Sequence, residues 1–159
     1  MLLSHKTEAA WAQDAARRFE HKLRAVRVRS AEKIPSRAVD GVHNNKADGG
    51  TYTPDDGLCW WTNGFWPGML WQMYNATGDE RYKKAAEGVE EKFDALLAEA
   101  IGLHHDVGFM WHISAGVNYR LTGDKDARLR ALYAGDFLAS RYNPNGGYIR
   151  SWNNDSDTD

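Results

Sequence analysis

Residues 64 to 79 read GFWPGMLWQMYNATGD, and residues 108 to 124 read GFMWHISAGVNYRLTGD. The closing Thr77-Gly78-Asp79 returns as Thr122-Gly123-Asp124 at an offset of 45 residues, and at the same offset Trp66 falls on Trp111 and Tyr74 on Tyr119. Self-similarity of this kind marks a repeated supersecondary unit. Before each turn the chain is nearly uncharged: 64 to 76 carries no charge, and 108 to 121 carries none before Arg120. A helix of that composition is buried almost all round. After the turns, Tyr82, Ala86, Val89, Phe93 and Leu97 recur three or four apart among charges over 80 to 100, and Leu129, Tyr133 and Phe137 do so over 126 to 140. That spacing predicts amphipathic helices with one wet face.

Working outward, Trp11, Ala15, Phe19, Leu23 and Val26 form one apolar stripe among charged neighbours, which adds an N-terminal helix. Pro67 would cost about 3 kcal/mol inside a helix but nothing in its first turn, so Thr62 or Asn63 is the expected N-cap. The glycine of each TGD can take the positive φ that ends a helix, and the aspartate can cap the next. Uncharged helices alternating with amphipathic ones pack as an inner ring wrapped by an outer one. The expected fold is therefore all-α, an (α/α) barrel, in preference to a solenoid whose helix pairs are both half exposed. Strand patterns are absent except for a short extended piece at Gly146 to Arg150.

Composition narrows the function. Twenty Lys and Arg nearly balance 22 Asp and Glu, so nothing calls for nucleic acid or an anionic membrane as partner. The uncharged stretch from Gly57 to Gly78 carries Asn63, Gln72, Asn75, Pro67 and several glycines, which argues against a membrane span. Cys59 is the single cysteine, so no internal disulfide forms. His5 and Lys6 precede any apolar signal-peptide core, and a cytoplasmic address is expected. One domain spanning 1–159, without a second, fits this length. The sequons Asn75-Ala76-Thr77 and Asn154-Asp155-Ser156 read as chance, and Asp155, Asp157 and Asp159 as a solvated tail.

If the TGD turns occupy one end of the helical layers, the outer-to-inner loops gather at the other. These are residues 30 to 63, 101 to 107, and 141 onward. Each leads towards the N-terminus of an inner helix, where unpaired N–H groups favour an anion. Trp60, Trp61, His104, His105, Asp106, Tyr148, Arg150 and Trp152 concentrate there. Aromatic faces beside hydrogen-bonding groups hold sugar rings, so an acidic sugar suits both features. Asp106 is by itself either the N-cap of its helix or a functional carboxylate. Trp60 and Trp61 serve equally as core or as stacking platforms. His104 and His105 with His112 lack a Cys or Glu at metal spacing, so neither a metal nor any other cofactor is expected.

Two segments carry a resemblance. Trp61-Thr62-Asn63-Gly64-Phe65-Trp66-Pro67-Gly68 and His105-Asp106-Val107-Gly108-Phe109 resemble motifs of glycoside hydrolase family 88, the unsaturated glucuronyl hydrolases, and Tyr119 to Asp124 is also similar. The likeness runs from about Trp60 to Asn153. It implies a six-hairpin α/α barrel of more than twice this length, of which the chain supplies about the first five helices, and no cofactor. It also implies hydration of the C4=C5 vinyl ether of a terminal unsaturated glucuronic acid on a glycosaminoglycan fragment, after which the hemiketal collapses and releases the sugar. Asp106 matches the earlier of two aspartates, the one that lies near the ring hydroxyls. The later one, which protonates C4 and assists water, is expected beyond Asp159. Trp61, His105 and Trp152 match substrate-facing positions, and Asn63, within the first motif, joins them. The expected partner is an unsaturated uronic-acid-terminated oligosaccharide, with self-association through exposed inner-helix flanks. The rivals are an unsaturated rhamnogalacturonyl hydrolase and a non-catalytic helical-repeat binding module.

Overall fold

The structure, a computed structural model, describes residues 5–49, 57–100 and 102–152. The acidic positions Asp155, Asp157 and Asp159 and the second sequon lie outside the described residues. The chain divides into two compact units, Met1–Ala31 and Glu32–Asp159.

The first unit is helix α1, His5–Ser30. Good helix formers fill it, and Arg17 and Arg18 bond Asp14 while Arg24 bonds Glu20, one turn apart on the surface. The expected apolar stripe lies on it but is largely uncovered: Trp11 is 73% exposed and Phe19 44%, whereas Leu23 is buried.

The second unit opens with a hairpin that the sequence reading missed, β1 (Ala38–Val39) paired antiparallel with β2 (Val42–His43). Its two-residue turn, Asp40-Gly41, has positive φ at both positions, 50° and 73°. An Asp-Gly pair between β-branched residues is the local signal for such a turn. After a 3₁₀ turn at Trp61–Gly64 come α2 (Phe65–Thr77), α3 (Glu80–Lys92), α4 (Asp94–Glu99), α5 (Val107–Trp111), α6 (Ala115–Thr122) and α7 (Lys125–Ser140). A second hairpin, β3 (Tyr142–Asn143) with β4 (Tyr148–Ile149), follows and contains the extended piece expected near Gly146.

The repeat has a physical content. Gly78 (φ 67°) and Gly123 (φ 76°) are left-handed, and their N–H groups close α2 and α6 on the carbonyls of Tyr74 and Tyr119. The Thr77 and Thr122 hydroxyls donate back to Met73 and Asn118 carbonyls and accept from the Asp79 and Asp124 N–H groups. Asp79 then caps α3 through the Arg81 N–H, and Asp124 caps α7 through the Ala127 N–H. Every residue of the tripeptide does the same work twice.

Three expectations need correction. The N-cap of α2 is Gly64, not Thr62 or Asn63, because the 3₁₀ turn runs directly into the helix; Pro67 still falls in the first turn. The helix expected over 80–100 is two, α3 and α4, meeting at the buried Phe93. The inner helix expected over 108–121 is also two, α5 and α6, because Ser114 leaves helical geometry (φ −104°, ψ −92°) while its hydroxyl bonds the Met110 carbonyl. Among the described residues, counting each broken pair once leaves five α-helical segments.

Glycines set how the inner helices meet. A Cβ on Gly64 would lie 2.1 Å from the Phe109 carbonyl oxygen and 2.4 Å from Met110 Cα, and one on Gly68 would lie 3.0 Å from the Ile113 carbonyl oxygen. Moving from Gly64 to Gly68 on one segment therefore moves from Met110 to Ile113 on the other, so the two run in the same direction. Their TGD turns lie at the same end, and α2, thirteen residues long, places Gly78 about 20 Å along the axis from the Gly64 contact. Trp71, Trp111, Tyr82, Phe93, Leu70 and Leu96 are fully buried between these layers. Glu90 of α3 is buried with them, accepting from Trp71 Nε1 of α2 at 2.5 Å and from Asn118 Nδ2 of α6 at 2.9 Å. Burial pushes its carboxyl up to about 7, against the pull of those two hydrogen bonds.

Candidate active site

The end opposite the TGD turns carries the histidines and Asp106. Leu103, buried, anchors the turn His104-His105-Asp106 that enters α5. Asp106 occupies the N-cap position, yet its side chain makes no capping bond. Its carboxylate instead faces the imidazoles, 3.3 Å from His105 Nε2 and 3.5 Å from His104 Nδ1. Of the two sequence readings of Asp106, the capping one thus fails at the level of the hydrogen bond.

The two histidines are held differently. His104 Nδ1 accepts the Asp106 N–H at 3.3 Å, and burial lowers its pKa despite the neighbouring carboxylate. His105 Nδ1 lies 2.6 Å from the Ser151 carbonyl, which can only accept, so this nitrogen carries the proton. Nε2 is then the atom turned to the Asp106 carboxylate. Trp152 covers both rings, edge-on to His105 at 4.7 Å and tilted to His104 at 5.3 Å, and is 51% exposed.

Trp61 belongs to a neighbouring aromatic group at the N-terminal ends of α2 and α5. It meets Phe65 at 6.0 Å and Phe109 at 5.6 Å, while Phe65 and Phe109 stack on each other at 6.0 Å. Phe109 lies three residues past Asp106, which brings this platform beside the histidine turn. Asn63 has another position: it is fully buried, and its Nδ2 donates to the Gly57 and Leu58 carbonyls, tying down the loop before the platform. Its Oδ1 is buried without a hydrogen-bond partner among the described residues.

Sequence reasoning gave no role to Phe65, Phe109, Lys46 or Arg141. The signal for the phenylalanines was present, since Gly64-Phe65 and Gly108-Phe109 repeat one residue out of phase with the tryptophans. Lys46, buried, sits with its ammonium 4.8 Å from the Trp60 ring centre, which no local pattern announces. As for metals, His104, His105 and Asp106 each offer one ligand atom, all within 4.8 Å of one another. This replaces the grouping with His112, which is exposed.

Paired inner helices running in parallel, each followed through a TGD turn by an outer helix, place the chain in the α/α-barrel class, to which it supplies five helical segments. Its relatives are unsaturated glucuronyl hydrolases. Over 93 residues it is 40% identical to the unsaturated glucuronyl hydrolase of Bacillus sp. (strain GL1), covering 58% of this chain and 25% of that protein. It is 38% identical over 93 residues to the unsaturated chondroitin disaccharide hydrolase of Streptococcus pneumoniae, covering 58% and 24%. The crystal structure of the Bacillus sp. GL1 enzyme matches with a TM-score of 0.60 at 37% identity over 64% of this chain and 27% of that one. That of an unsaturated glucuronyl hydrolase specific for heparin matches at 0.57 and 31% identity over 82% and 32%. The chain spans about a quarter of the length of the curated relatives it matches. No family model matches. Among the described residues no helix is long and apolar enough to cross a membrane.

Proposed function

We propose that residues 1–159 are part of a single catalytic domain of a hydrolase that releases 4,5-unsaturated glucuronic acid from the non-reducing end of glycosaminoglycan-derived oligosaccharides. The observation that carries this reading is the carboxylate of Asp106, free of any capping bond and held against His105 beneath Trp152, within a motif region about 40% identical to enzymes of that activity. In the reaction a proton adds to C4 and water adds its oxygen to C5 as it gives up a proton; the C5 hemiketal opens by breaking its bond to the ring oxygen, leaving a ketone at C5 and a hemiacetal at C1 that expels the leaving sugar. Asp106 takes the place of the carboxylate beside the ring hydroxyls. A second aspartate, outside these residues, delivers the proton.

Around that centre Trp61 stacks on the unsaturated ring, His105 contacts the substrate, Trp152 walls the pocket, and Asn63 supports the loop that presents Trp61. The chemistry requires no cofactor. We place the protein in the cytoplasm, supported by the lone Cys59, buried and with its thiol pushed up by burial.

Loss of the substrate C=C ultraviolet absorbance tests the proposal in the whole protein. Unsaturated chondroitin and heparin disaccharides should be consumed. Consumption of unsaturated rhamnogalacturonan disaccharides alone would transfer the chemistry to the pectin-derived class, and consumption of neither would leave a binding module.

A further inference from the structure

We infer that Arg141 is a positioning residue for the site: its guanidinium clamps the strand-end segment 150–152 so that the Ser151 carbonyl holds the His105 ring by its Nδ1–H, with Trp152 over the imidazole pair. The consequence for catalysis rests on the proposed function, whereas the clamp itself rests on geometry alone.

Arg141 closes α7 and opens the β3–β4 hairpin. Its carbonyl accepts from the Arg150 N–H at 2.9 Å, which brings the returning strand back under its own side chain. From there Nε donates to the Arg150 carbonyl at 2.8 Å, and Nη2 donates to the carbonyls of Ser151 at 2.9 Å and Trp152 at 3.0 Å. Three consecutive carbonyls thus converge on one planar fork, an arrangement a point-like ammonium cannot reproduce. The stem runs by Phe137, whose ring centre is 5.8 Å from Arg141 Cζ.

Ser151 is where the clamp meets the site. The carbonyl that accepts from Arg141 also accepts from His105 Nδ1 at 2.6 Å and from the His105 N–H at 3.3 Å. A carbonyl oriented by a cation is a fixed acceptor, and a fixed acceptor for Nδ1–H sets the orientation of the imidazole ring. That orientation turns Nε2 to Asp106. Trp152, one residue on, takes its edge-on place against His105 from the same segment. Segment 150–152 itself is exposed, so without the guanidinium its path rests on the β3–β4 hairpin and on the histidine contacts that the clamp is there to position.

The 159-residue chain, labelled with ¹⁵N-histidine, suffices for a test that needs no activity. ¹H–¹⁵N spectra read whether the His105 Nδ1–H is hydrogen-bonded, as a ring N–H protected from solvent exchange, with the signal assigned by its loss in H105Q. The parent should show that protected Nδ1–H. R141A and R141M should lose it to solvent exchange, and the Trp152 indole N–H resonance should move towards that of a solvent-exposed indole, with helical ellipticity unchanged. R141M keeps the stem beside Phe137, so it separates lost donors from lost packing and decides the matter if R141A does not fold. R141K should give intermediate protection. A protected Nδ1–H retained in folded R141M would overturn the clamp. Lost protection alongside full turnover by D106N in the whole protein would leave the clamp standing and sink the proposed function instead.

Discussion

Asp106 is the residue on which the functional reading turns, and its geometry separates the two jobs an aspartate at a helix start can do. Because its carboxylate caps nothing, Asp106→Asn removes charge without removing a helix bond. We expect turnover by the whole protein to fall by a factor on the order of 10² or more, with the thermal midpoint of these residues unchanged. Near-native turnover, followed by C=C absorbance, would return Asp106 to a structural role. Gly64 is the complementary case, a residue defined by what it lacks. Gly64→Ala sets a methyl against the Phe109 and Met110 backbone and should cost more than about 3 kcal/mol, the upper end of ordinary overpacking, because backbone cannot swing aside. Gly88→Ala, inside α3 with nothing within 4 Å of the added Cβ, should instead stabilise by about 0.5–1 kcal/mol. Urea midpoints of the two variants should therefore move in opposite directions.

At the scale of elements, Glu90 ties three helices together through one carboxyl. Its pKa in the folded chain, about 7, lies above the usual 4.5, so the folded state holds this proton more tightly than the unfolded one. The stabilisation that results is complete below about pH 4.5 and is lost as pH rises through about 7, amounting to as much as about 3 kcal/mol for a shift of this size. His104 works in the opposite sense. Its pKa is lowered by burial, so its contribution is present above the ordinary histidine pKa and falls as pH drops below it. Glu90→Gln isolates the first effect: the urea midpoint of the parent, taken relative to that of the variant, should rise steadily from about pH 8 to about pH 5. A difference independent of pH would mean that Glu90 does not titrate in this range.

For the whole molecule, the 159-residue polypeptide purified alone is expected not to consume unsaturated disaccharides, because the resemblance places the proton-donating aspartate outside it. Steady loss of C=C absorbance with that polypeptide would overturn the two-aspartate scheme. Phe65, Met69 and Phe109 on α2 and α5 leave apolar surface exposed. Sedimentation velocity should accordingly show concentration-dependent association, weakened by Met69→Glu. A monomer at all concentrations would overturn the expectation of self-association.

By itself the sequence determined what is local. Helical periodicity, the uncharged and amphipathic alternation, and both TGD turns follow from short-range spacing, because capping bonds and left-handed glycines act within a few residues. The first hairpin was equally local and legible in Asp40-Gly41. What only the tertiary structure decided depends on contacts between distant residues. Nothing within the segment 108–121 shows that Ser114 breaks it, and Asn63 is buried to hold a loop rather than exposed. His105 is oriented by a carbonyl 46 residues away, on a segment clamped by Arg141. Asp106 is freed from capping for the same reason: its carboxylate is drawn to partners whose placement comes from packing, which no spacing along the chain encodes.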